Sequence, residues 1–507
     1  MPVIEGQKYT GLRAALWPIA GYELKKVIPM SMLLFCMLYD YTCVRILKDA
    51  LIVMAPGAGE TVLPFLKLWC VLPSAILFVI IYAKVSSKYS KEKVFYGITL
   101  FFALFFFLFG NVLFPMRDAL HMSASRIGEL QVWAPRMSQI IAMMGMWTFS
   151  VFYVFAELWG NIGITVLFWQ FANQITPTSD AKRHYISFQS IGNFALLGAA
   201  TVMTRLFAGN NIMTNSSVSY ACNIVAAITV LAMCLYYYIN KYVLTDPRFP
   251  VPANVNKKSG PKPTLGESFK TILKSKYLGY IALLIIAYGV SINFVEVTWK
   301  GMIRQYALQD PTITNPNGLY VALQSQAFFW TGAFSIIIAT LGKSIVQKLG
   351  WRITALVTPV GMLITSLLFF GCVLAPEMIK GIATWWNLSV LGFGVWIGIL
   401  QQVFTKSAKY VLFDTTKEMA YIPLPEELKV QGKAAVEVAA GRAGKSMGGM
   451  MQSIMILAIG TKDIFVLAPW LAVLSIAVVL IWIFVVNKLS VEYHAKLKDE
   501  AEIVKVV

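Results

Sequence analysis

Long apolar runs alternate with short polar segments along almost the whole chain. A helix needs about 20 apolar residues to cross the hydrocarbon layer of a membrane. Twelve such spans are predicted, and they lie near residues 27–49, 61–84, 94–115, 141–174, 185–207, 217–240, 277–300, 319–346, 352–375, 383–411, 433–460 and 464–487. The fourth and tenth runs exceed the length of a straight crossing, so these two helices are expected to be tilted or bent.

A polar, proline-bearing stretch divides the spans into two sets of six. The predicted organisation is an N-terminal segment (1–26), a six-helix bundle (27–240), a linker (241–276), a second six-helix bundle (277–487) and a tail (488–507). Short basic loops stand at equivalent places in both sets, at 82–94 and at 342–356. The pattern predicts an all-α membrane protein with two pseudo-symmetric six-helix bundles, as in major-facilitator transporters.

Composition supports a membrane protein and changes the meaning of the net charge. Hydrophobic residues make up 58% of the 507 residues and charged residues 13%, whereas soluble proteins carry roughly 25% charged residues. These values exclude a soluble enzyme, a disordered chain and a fibrous protein. The formal charge of +18 would suggest nucleic-acid binding in a soluble protein. Here most basic residues fall on one side if both termini are cytoplasmic, as the positive-inside rule expects. The expected surroundings are therefore a lipid bilayer, and no nucleic-acid partner is predicted.

Several charged residues fall inside predicted spans, where a central charge costs about 2.5–3.5 kcal/mol. In the first span, Arg45, Lys48 and Asp49 share one helical face. An alternative explanation is that these three side chains extend to the membrane boundary. Glu157 in the fourth span has long apolar sequence on both sides. A functional role is therefore favoured for Glu157.

The seventh and eleventh spans add further polar positions. The seventh carries Asn293 and Glu296, and a local ion pair between Glu296 and Lys300 is an alternative explanation for that glutamate. Gly444 and Gly448 in the eleventh span permit close helix contact. A polar stripe with a spacing of four residues runs along the same span and comprises Lys433, Glu437, Gly441 and Lys445.

The sequence contains no complete motif for ATP hydrolysis, nucleophilic catalysis or metal binding. Gly444-Lys445-Ser446 resembles the end of an ATPase phosphate-binding loop, but the motif requires glycine where the chain has Ala439. No nucleophile or metalloprotease motif occurs, and the six cysteines form no ligand cluster with histidines. We therefore predict neither an enzyme nor a metal site, and no cofactor.

The placement of the buried charges favours a transporter. Lysines of the first and eleventh spans line one cavity only if the two halves face each other. Buried lysines suit a polyanionic substrate such as a phosphate chain. Glu157 and Glu296 would then offset those cations in the absence of substrate, or carry protons in symport, and the sequence leaves both roles open.

Seven sequence runs together resemble one transporter family. The runs are RILKDALIV (45–53), LPFLKLW (63–69), AELWG (156–160), FANQIT (171–176), SINFVEVTWK (291–300), YIPLPEELKVQGKAA (421–435) and GKS (444–446). In this order they resemble the ATP/ADP translocases, or nucleotide transporters, of plastids and obligate intracellular bacteria.

The resemblance implies exchange of ATP for ADP by alternating access, with host ATP taken up as an energy source. Four charged positions important in that family correspond to Lys48, Glu157, Glu296 and Lys445. We predict that Lys48 and Lys445, assisted by Arg442, bind the phosphates, while Glu157 and Glu296 balance charge and couple gating. Further polar residues expected in the cavity are Arg45, Asp49, Asn293, Lys433 and Glu437.

Two positions depart from the plastid members of that family. Leu47 stands where they have threonine, and Arg442 stands where they have proline. An arginine at the second of these positions is more typical of the bacterial members. With no transit peptide in residues 1–26, we expect a protein of a bacterial inner membrane. The distribution of basic residues predicts that both termini are cytoplasmic, and we expect a monomer. The alternatives are a proton-coupled symporter or an importer of other nucleotides, such as GTP, other NTPs or NAD. A membrane ATPase and a non-transporting receptor are further alternatives.

Overall fold

The computed structural model describes residues 19–209, 213–249, 275–424 and 426–506 as an all-helical arrangement. The first half contains the long helices α1 (Leu24–Val53), α2 (Val62–Lys88), α3 (Lys91–Leu113), α4 (Trp147–Ile175), α5 (Thr178–Phe207) and α6 (Asn215–Val243). The second half contains α7 (Lys276–Gln309), α8 (316–349), α9 (351–374), α10 (Val390–Ala420), α11 (Glu426–Ile459) and α12 (Ala468–Val506). Gly350, with φ +74°, separates α8 from α9.

Ten of the described helices are long and apolar enough to cross a membrane. An eleventh crossing is present if α10 is counted together with the helix Pro376–Trp385, from which it is bent by 89°. The apolar part of α11 is confined to Ser446–Ile459, because charged residues occupy its first half. The predicted all-α membrane fold is confirmed, while twelve crossings and two pseudo-symmetric bundles stay predictions.

The fourth predicted run, 141–174, is not one continuous helix. The helix Ser138–Gly145 ends at Met146, whose φ of −116° and ψ of 50° interrupt the helical hydrogen bonding. α4 then begins at Trp147. Apolar side chains continue across the break, so hydropathy alone could not locate it.

The tenth predicted run, 383–411, crosses a turn and is not one continuous helix. The helix Pro376–Trp385 ends before Asn387, which adopts a positive φ of 54°. Ser389 then caps the new helix, since its side chain accepts a hydrogen bond from the backbone N–H of Gly392. α10 therefore starts at Val390.

Burial distinguishes central helices from helices that face the lipid. Most residues of α1 and α7 are buried by other helices, whereas none of Leu72–Lys88 in α2 is buried. Exposed apolar side chains such as Leu77, Phe107 and Leu368 lie on outer helices, where a bilayer removes them from water. The centre of the protein is thus formed around α1 and α7.

Two of the helix pairs that join the halves have a glycine at their contact. α5 packs on α8, where a Cβ on Gly332 would lie 2.6 Å from the Leu197 side chain. α2 packs on α11, where a Cβ on Gly449 would lie 3.5 Å from the carbonyl oxygen of Pro64. Small residues allow helix backbones to approach closely within a membrane.

We predict that Gly398→Ala lowers the thermal unfolding temperature of the purified protein. A Cβ at Gly398 would lie 2.0 Å from Cδ1 of Trp299, which is 1% exposed and donates its indole N–H to the carbonyl of Val395. Overpacking of this kind costs about 1–3 kcal/mol. Gly371→Ala is the matched control because no atom lies within 4 Å of its added Cβ. Equal unfolding temperatures for the two variants would contradict the close α7–α10 contact.

Candidate functional site

Charged side chains from both halves meet at the centre of the protein. We call them the central charge cluster, which comprises Arg45, Lys48, Asp49, Lys67, Glu157, Glu296, Lys300 and Lys406. They come from α1, α2, α4, α7 and α10. Such a group is costly in a low-dielectric interior, so the pairing of each charge decides whether it can be accommodated.

Lys48 is neutralised from two sides although it is only 1% exposed. Its Nζ lies 2.7 Å from Oδ1 of the adjacent Asp49 and 3.0 Å from Oε1 of Glu157 on α4. It also lies 4.0 Å from the ring centroid of Tyr153, one turn before that glutamate. Because Lys48 and Asp49 lie deep inside the protein, neither side chain extends to the membrane boundary as the alternative explanation required.

Asp49 joins the two halves of the chain. Its second carboxylate oxygen lies 2.8 Å from Nζ of Lys300 on α7, while its first oxygen holds Lys48. Lys300 itself is 1% exposed, and α7 continues past the predicted end at residue 300 to Gln309. One carboxylate therefore compensates a lysine from each half.

Glu296 brings together cations from three helices. Its Oε1 lies 3.1 Å from Arg45 on α1, 3.3 Å from Lys300 one turn later on α7 and 3.5 Å from Lys406 on α10. The local Glu296–Lys300 pair anticipated from the sequence is thus present, but it is one contact within a larger network. Arg45 and Lys406 also lie on the ring of Phe328, at 5.3 Å and 5.4 Å from its centroid.

Asn293 binds a cation from the other half. Lys67 on α2 donates a hydrogen bond to the amide oxygen of Asn293, with a distance of 2.6 Å between Nζ and Oδ1. Lys67 lies within a π-helical stretch, Leu66–Val71, where the helix is wider than an α-helix. Single π-turns inside α-helices are frequent at functional sites.

A glycine permits the contact between α1 and α4 that holds Glu157 beside Lys48. A Cβ on Gly160 would lie 2.1 Å from the ring of Tyr41 on α1. Gly160 also begins the π-helical stretch Gly160–Phe168, directly after the α-helical turn that carries Glu157. A side chain at position 160 would therefore separate these helices and weaken the Lys48–Glu157 pair.

The cluster has more positive than negative groups. In the part of the chain that the structure describes, five cations face three carboxylates when all are in their usual ionised forms. An excess of buried positive charge is unfavourable unless an anion compensates it. The site is therefore suited to binding a molecule with several negative charges.

The structure brings together six of the residues predicted from the sequence: Arg45, Lys48, Asp49, Glu157, Asn293 and Glu296. Lys433 lies elsewhere, since its side chain is 45% exposed and its Nζ lies 2.5 Å from Glu418. The side chains of Glu437, Arg442 and Lys445 lie outside the described residues.

The helix that carries those three residues borders the cluster. On α11, a Cβ on Gly444 would lie 2.9 Å from Cα of Ile286. One turn later, a Cβ on Gly448 would lie 3.0 Å from Cβ of Asn293. The small residues predicted to allow close helix contact thus lie at the interface with α7.

Sequence reasoning missed Lys406 and did not assign Lys67 to the site. Both lie near an end of a predicted span, where a lysine is expected to reach the membrane surface. Lys406 is instead 6% exposed. One signal was present in the sequence, because Gln402 precedes Lys406 by four residues and marks a polar helical face.

A second set of contacts joins the halves at the far face, which comprises residues 54–61, 114–146, 310–315 and 460–467. Gly460, with φ +72°, ends α11 and turns the chain back. The carbonyl of Thr461 then accepts a hydrogen bond from Gln139, with an N···O distance of 2.9 Å. Lys462 donates to the side-chain oxygen of Gln131, also at 2.9 Å. These contacts join the two halves at the far face.

Glu60 adds a buried carboxyl group to the far-face contacts. It is 3% exposed, it accepts a hydrogen bond from the backbone N–H of Ile464, and it lies 3.8 Å from Arg304. Burial raises the pKa of the Glu60 carboxyl above its ordinary value, and the nearby Arg304 partly opposes that shift. The far face is thus held by hydrogen bonds to backbone groups, by the hydrogen bond from Lys462 to Gln131 and by one buried acid.

Comparison with known proteins yields one family and many relatives. The family model of the TLC ATP/ADP transporter matches residues 4–493. "ADP,ATP carrier protein 1" of Chlamydia trachomatis is 41% identical over 488 residues, which cover 94% of this chain and 90% of that protein. "ADP,ATP carrier protein 1" of Rickettsia prowazekii is 40% identical over 491 residues, with coverages of 95% and 96%.

Solved structures support the fold. A bacterial homologue of the iron transporter ferroportin, in an inward-facing state, aligns with a TM-score of 0.59 and 15% identity, covering 93% of this chain and 100% of that one. An auto-inhibited peptide transporter of the POT family aligns with a TM-score of 0.55 and 12% identity, with coverages of 91% and 96%. The fold is therefore major-facilitator-like, as predicted.

We predict that Asp49→Asn strongly destabilises the protein. The substitution leaves both Lys48 and Lys300 without this carboxylate, and breaking a buried pair costs about 3–5 kcal/mol. The measurement is the thermal unfolding temperature in detergent.

Asp40→Asn is the matched control for that prediction. Asp40 lies on the same helix and is fully buried, but its described partner is the hydroxyl of Thr229 at 2.8 Å, to which an amide oxygen can also bind. We expect only a small change in unfolding temperature. Equal losses for the two variants would show that Asp49 is not specially required for charge compensation.

Proposed function

The chain belongs to the TLC ATP/ADP transporter family, and we propose that it is an ATP/ADP antiporter that imports host ATP in exchange for ADP by alternating access. The similar proteins of Chlamydia trachomatis and Rickettsia prowazekii are both named ADP,ATP carrier proteins. The observation that carries the proposal is the central charge cluster, in which both halves contribute cations to a site with excess positive charge.

Phosphate groups are the natural complement of this site. In the proposed mechanism, Lys48 binds phosphate together with Lys445 and Arg442 of α11. Lysine and arginine both form strong charge-assisted hydrogen bonds with phosphate oxygens. Glu157 and Glu296 limit the positive charge and hold these cations in position between transport steps. The bound nucleotide then replaces carboxylates as the partner of the cations.

The contacts between the halves couple binding to movement. Arg45 on α1 binds Glu296 on α7, and Lys300 on α7 binds Asp49 on α1. Any rocking of one half against the other changes these distances, so the energy of the cluster depends on the orientation of the halves. A bound polyanion alters that energy most strongly, because it neutralises charges that would otherwise repel each other.

The same arrangement explains why exchange is favoured over one-way transport. Without a bound anion, the excess positive charge resists a rearrangement that separates the cations from Asp49 and Glu296. Return of the carrier is therefore slow until it binds a second nucleotide. We further propose that the protein is a monomer of a bacterial inner membrane with cytoplasmic termini, which makes the far face extracytoplasmic.

We predict that uptake of labelled ATP into vesicles containing the purified protein requires internal ADP or ATP. A protonophore should leave this uptake unchanged, because no proton gradient takes part. Uptake into empty vesicles that collapses on addition of a protonophore would instead support the proton-coupled symporter. Release of inorganic phosphate at the rate of uptake would support an ATPase.

We predict that Lys48→Ala and Lys445→Ala each reduce ATP/ADP exchange by at least about tenfold, which is the effect of losing one charge-assisted contact. The assay is nucleotide exchange at equal amounts of protein in the membrane. Lys84→Ala is the control, because Lys84 is an exposed residue of α2. Normal exchange by both alanine variants would contradict the phosphate assignment.

A further inference from the structure

Lys406 is a buried cation to which the resemblance to known transporters assigns no role. It is 6% exposed and lies in the middle of α10, between Gln402 and the π-helical stretch Lys409–Phe413. Among the described residues, the acidic side chain within ion-pair distance of Lys406 is Glu296, at 3.5 Å. This contact is the longest of the three that Oε1 of Glu296 makes with cations. Lys406 is therefore only partly compensated.

The partner of Lys406 is shared with two other cations. Arg45 and Lys300 both lie closer to the same carboxylate oxygen. A single negative charge cannot neutralise three positive charges, and Lys300 has a second carboxylate in Asp49. Arg45 and Lys406 are therefore the two cations that lack sufficient negative charge to balance them. These two cations come from opposite halves of the chain.

Arg45 and Lys406 are also held close together. Both lie on the ring of Phe328, at 5.3 Å and 5.4 Å from its centroid. Contact with an aromatic ring offsets part of the cost of burying a cation, but it adds no negative charge. An anion that bridges Arg45 and Lys406 would relieve their mutual repulsion. A phosphate group, with several negatively charged oxygens, can contact both cations at once.

We propose that Lys406 is a phosphate-binding residue, and that the nucleotide's phosphate displaces the Glu296 carboxylate from Lys406 and Arg45. The proposal rests on the proposed nucleotide exchange and extends its phosphate site to α10. Glu296 then acts as an internal competitor of the nucleotide. Because Lys406 and Arg45 belong to different halves, a phosphate bound between them also links the halves.

The test measures ATP and ADP binding to the purified full-length protein by isothermal titration calorimetry. Lys406→Gln is expected to weaken binding of both nucleotides by at least about tenfold. Lys406→Arg keeps the charge and is expected to retain most of the affinity. Lys417→Gln is the control, since it removes a lysine of the same helix that pairs with Asp414 and Glu418. It should bind as the wild type does.

A second pair of variants, both carrying Glu296→Gln, distinguishes phosphate binding by Lys406 from a role only as the counter-ion of Glu296. Glu296→Gln alone should tighten ATP binding, because the competing carboxylate is gone. In that background, Lys406→Gln should still weaken binding by about tenfold if the lysine contacts phosphate. If the loss disappears when Glu296 is absent, Lys406 serves only as its counter-ion, and the proposal is wrong.

Other outcomes are equally decisive. Unchanged binding by Lys406→Gln, or weaker binding by Glu296→Gln, would overturn the proposal. If Lys406→Gln alone does not fold, the double variant Glu296→Gln/Lys406→Gln compared with Glu296→Gln still decides, because it removes the lysine together with its paired carboxylate. Wild-type protein that binds neither ATP nor ADP would refute the proposed exchange itself. If the wild-type protein binds both nucleotides and Lys406→Gln binds them equally well, only this inference is refuted.

Discussion

The structure depends on one constraint, which is that cations buried at its centre outnumber the carboxylates available to pair with them. In a low-dielectric interior each charge needs a partner, and removal of one partner is far more costly than at a surface. Each of two carboxylates therefore pairs with more than one cation. Asp49 serves Lys48 and Lys300, and Glu296 serves three cations at once. Shared carboxylates bind the two halves together, so the charge balance and the orientation of the halves cannot change independently.

The helix backbones are shaped to make this sharing possible. Gly160 lets α4 approach Tyr41 closely enough for Glu157 to reach Lys48. Gly398 allows α10 to lie against Trp299, which brings the later turns of α10 alongside Glu296. π-helical stretches follow or contain charged residues of the cluster in α2, α4 and α10. The chemistry of the site therefore extends into residues that carry no charge.

Hydropathy predicted most of the long helices, because each apolar run must be buried in lipid or in the bundle. It identified Glu157 because long apolar sequence surrounds that residue, so no surface is within reach. Lys48 was predicted instead from the helical face that it shares with Arg45 and Asp49. Hydropathy could not identify Lys406 or Lys67, since lysines near a span's end ordinarily extend to water, and only the packed structure shows them buried or bonded inward. Pairing between halves, such as Asp49 with Lys300, joins residues far apart in the chain and leaves no local pattern. The break at Met146 was likewise hidden, since apolar residues continue across it.

The two sets of contacts between the halves differ in their sensitivity to a charged substrate. At the far face, Gln139 and Thr61 bind backbone carbonyls, and Glu60 binds a backbone N–H. Apart from the Glu60–Arg304 pair and the hydrogen bond from Lys462 to Gln131, these contacts join neutral groups, whose interaction depends little on a charge at the centre. The central contacts are ion pairs, and a polyanion placed among them changes their energy directly. A ligand shifts a conformational equilibrium only through different interactions with the two states. We therefore infer that a bound nucleotide shifts the orientation of the halves mainly through the cluster around Asp49 and Glu296, against the contacts that join the halves at the far face.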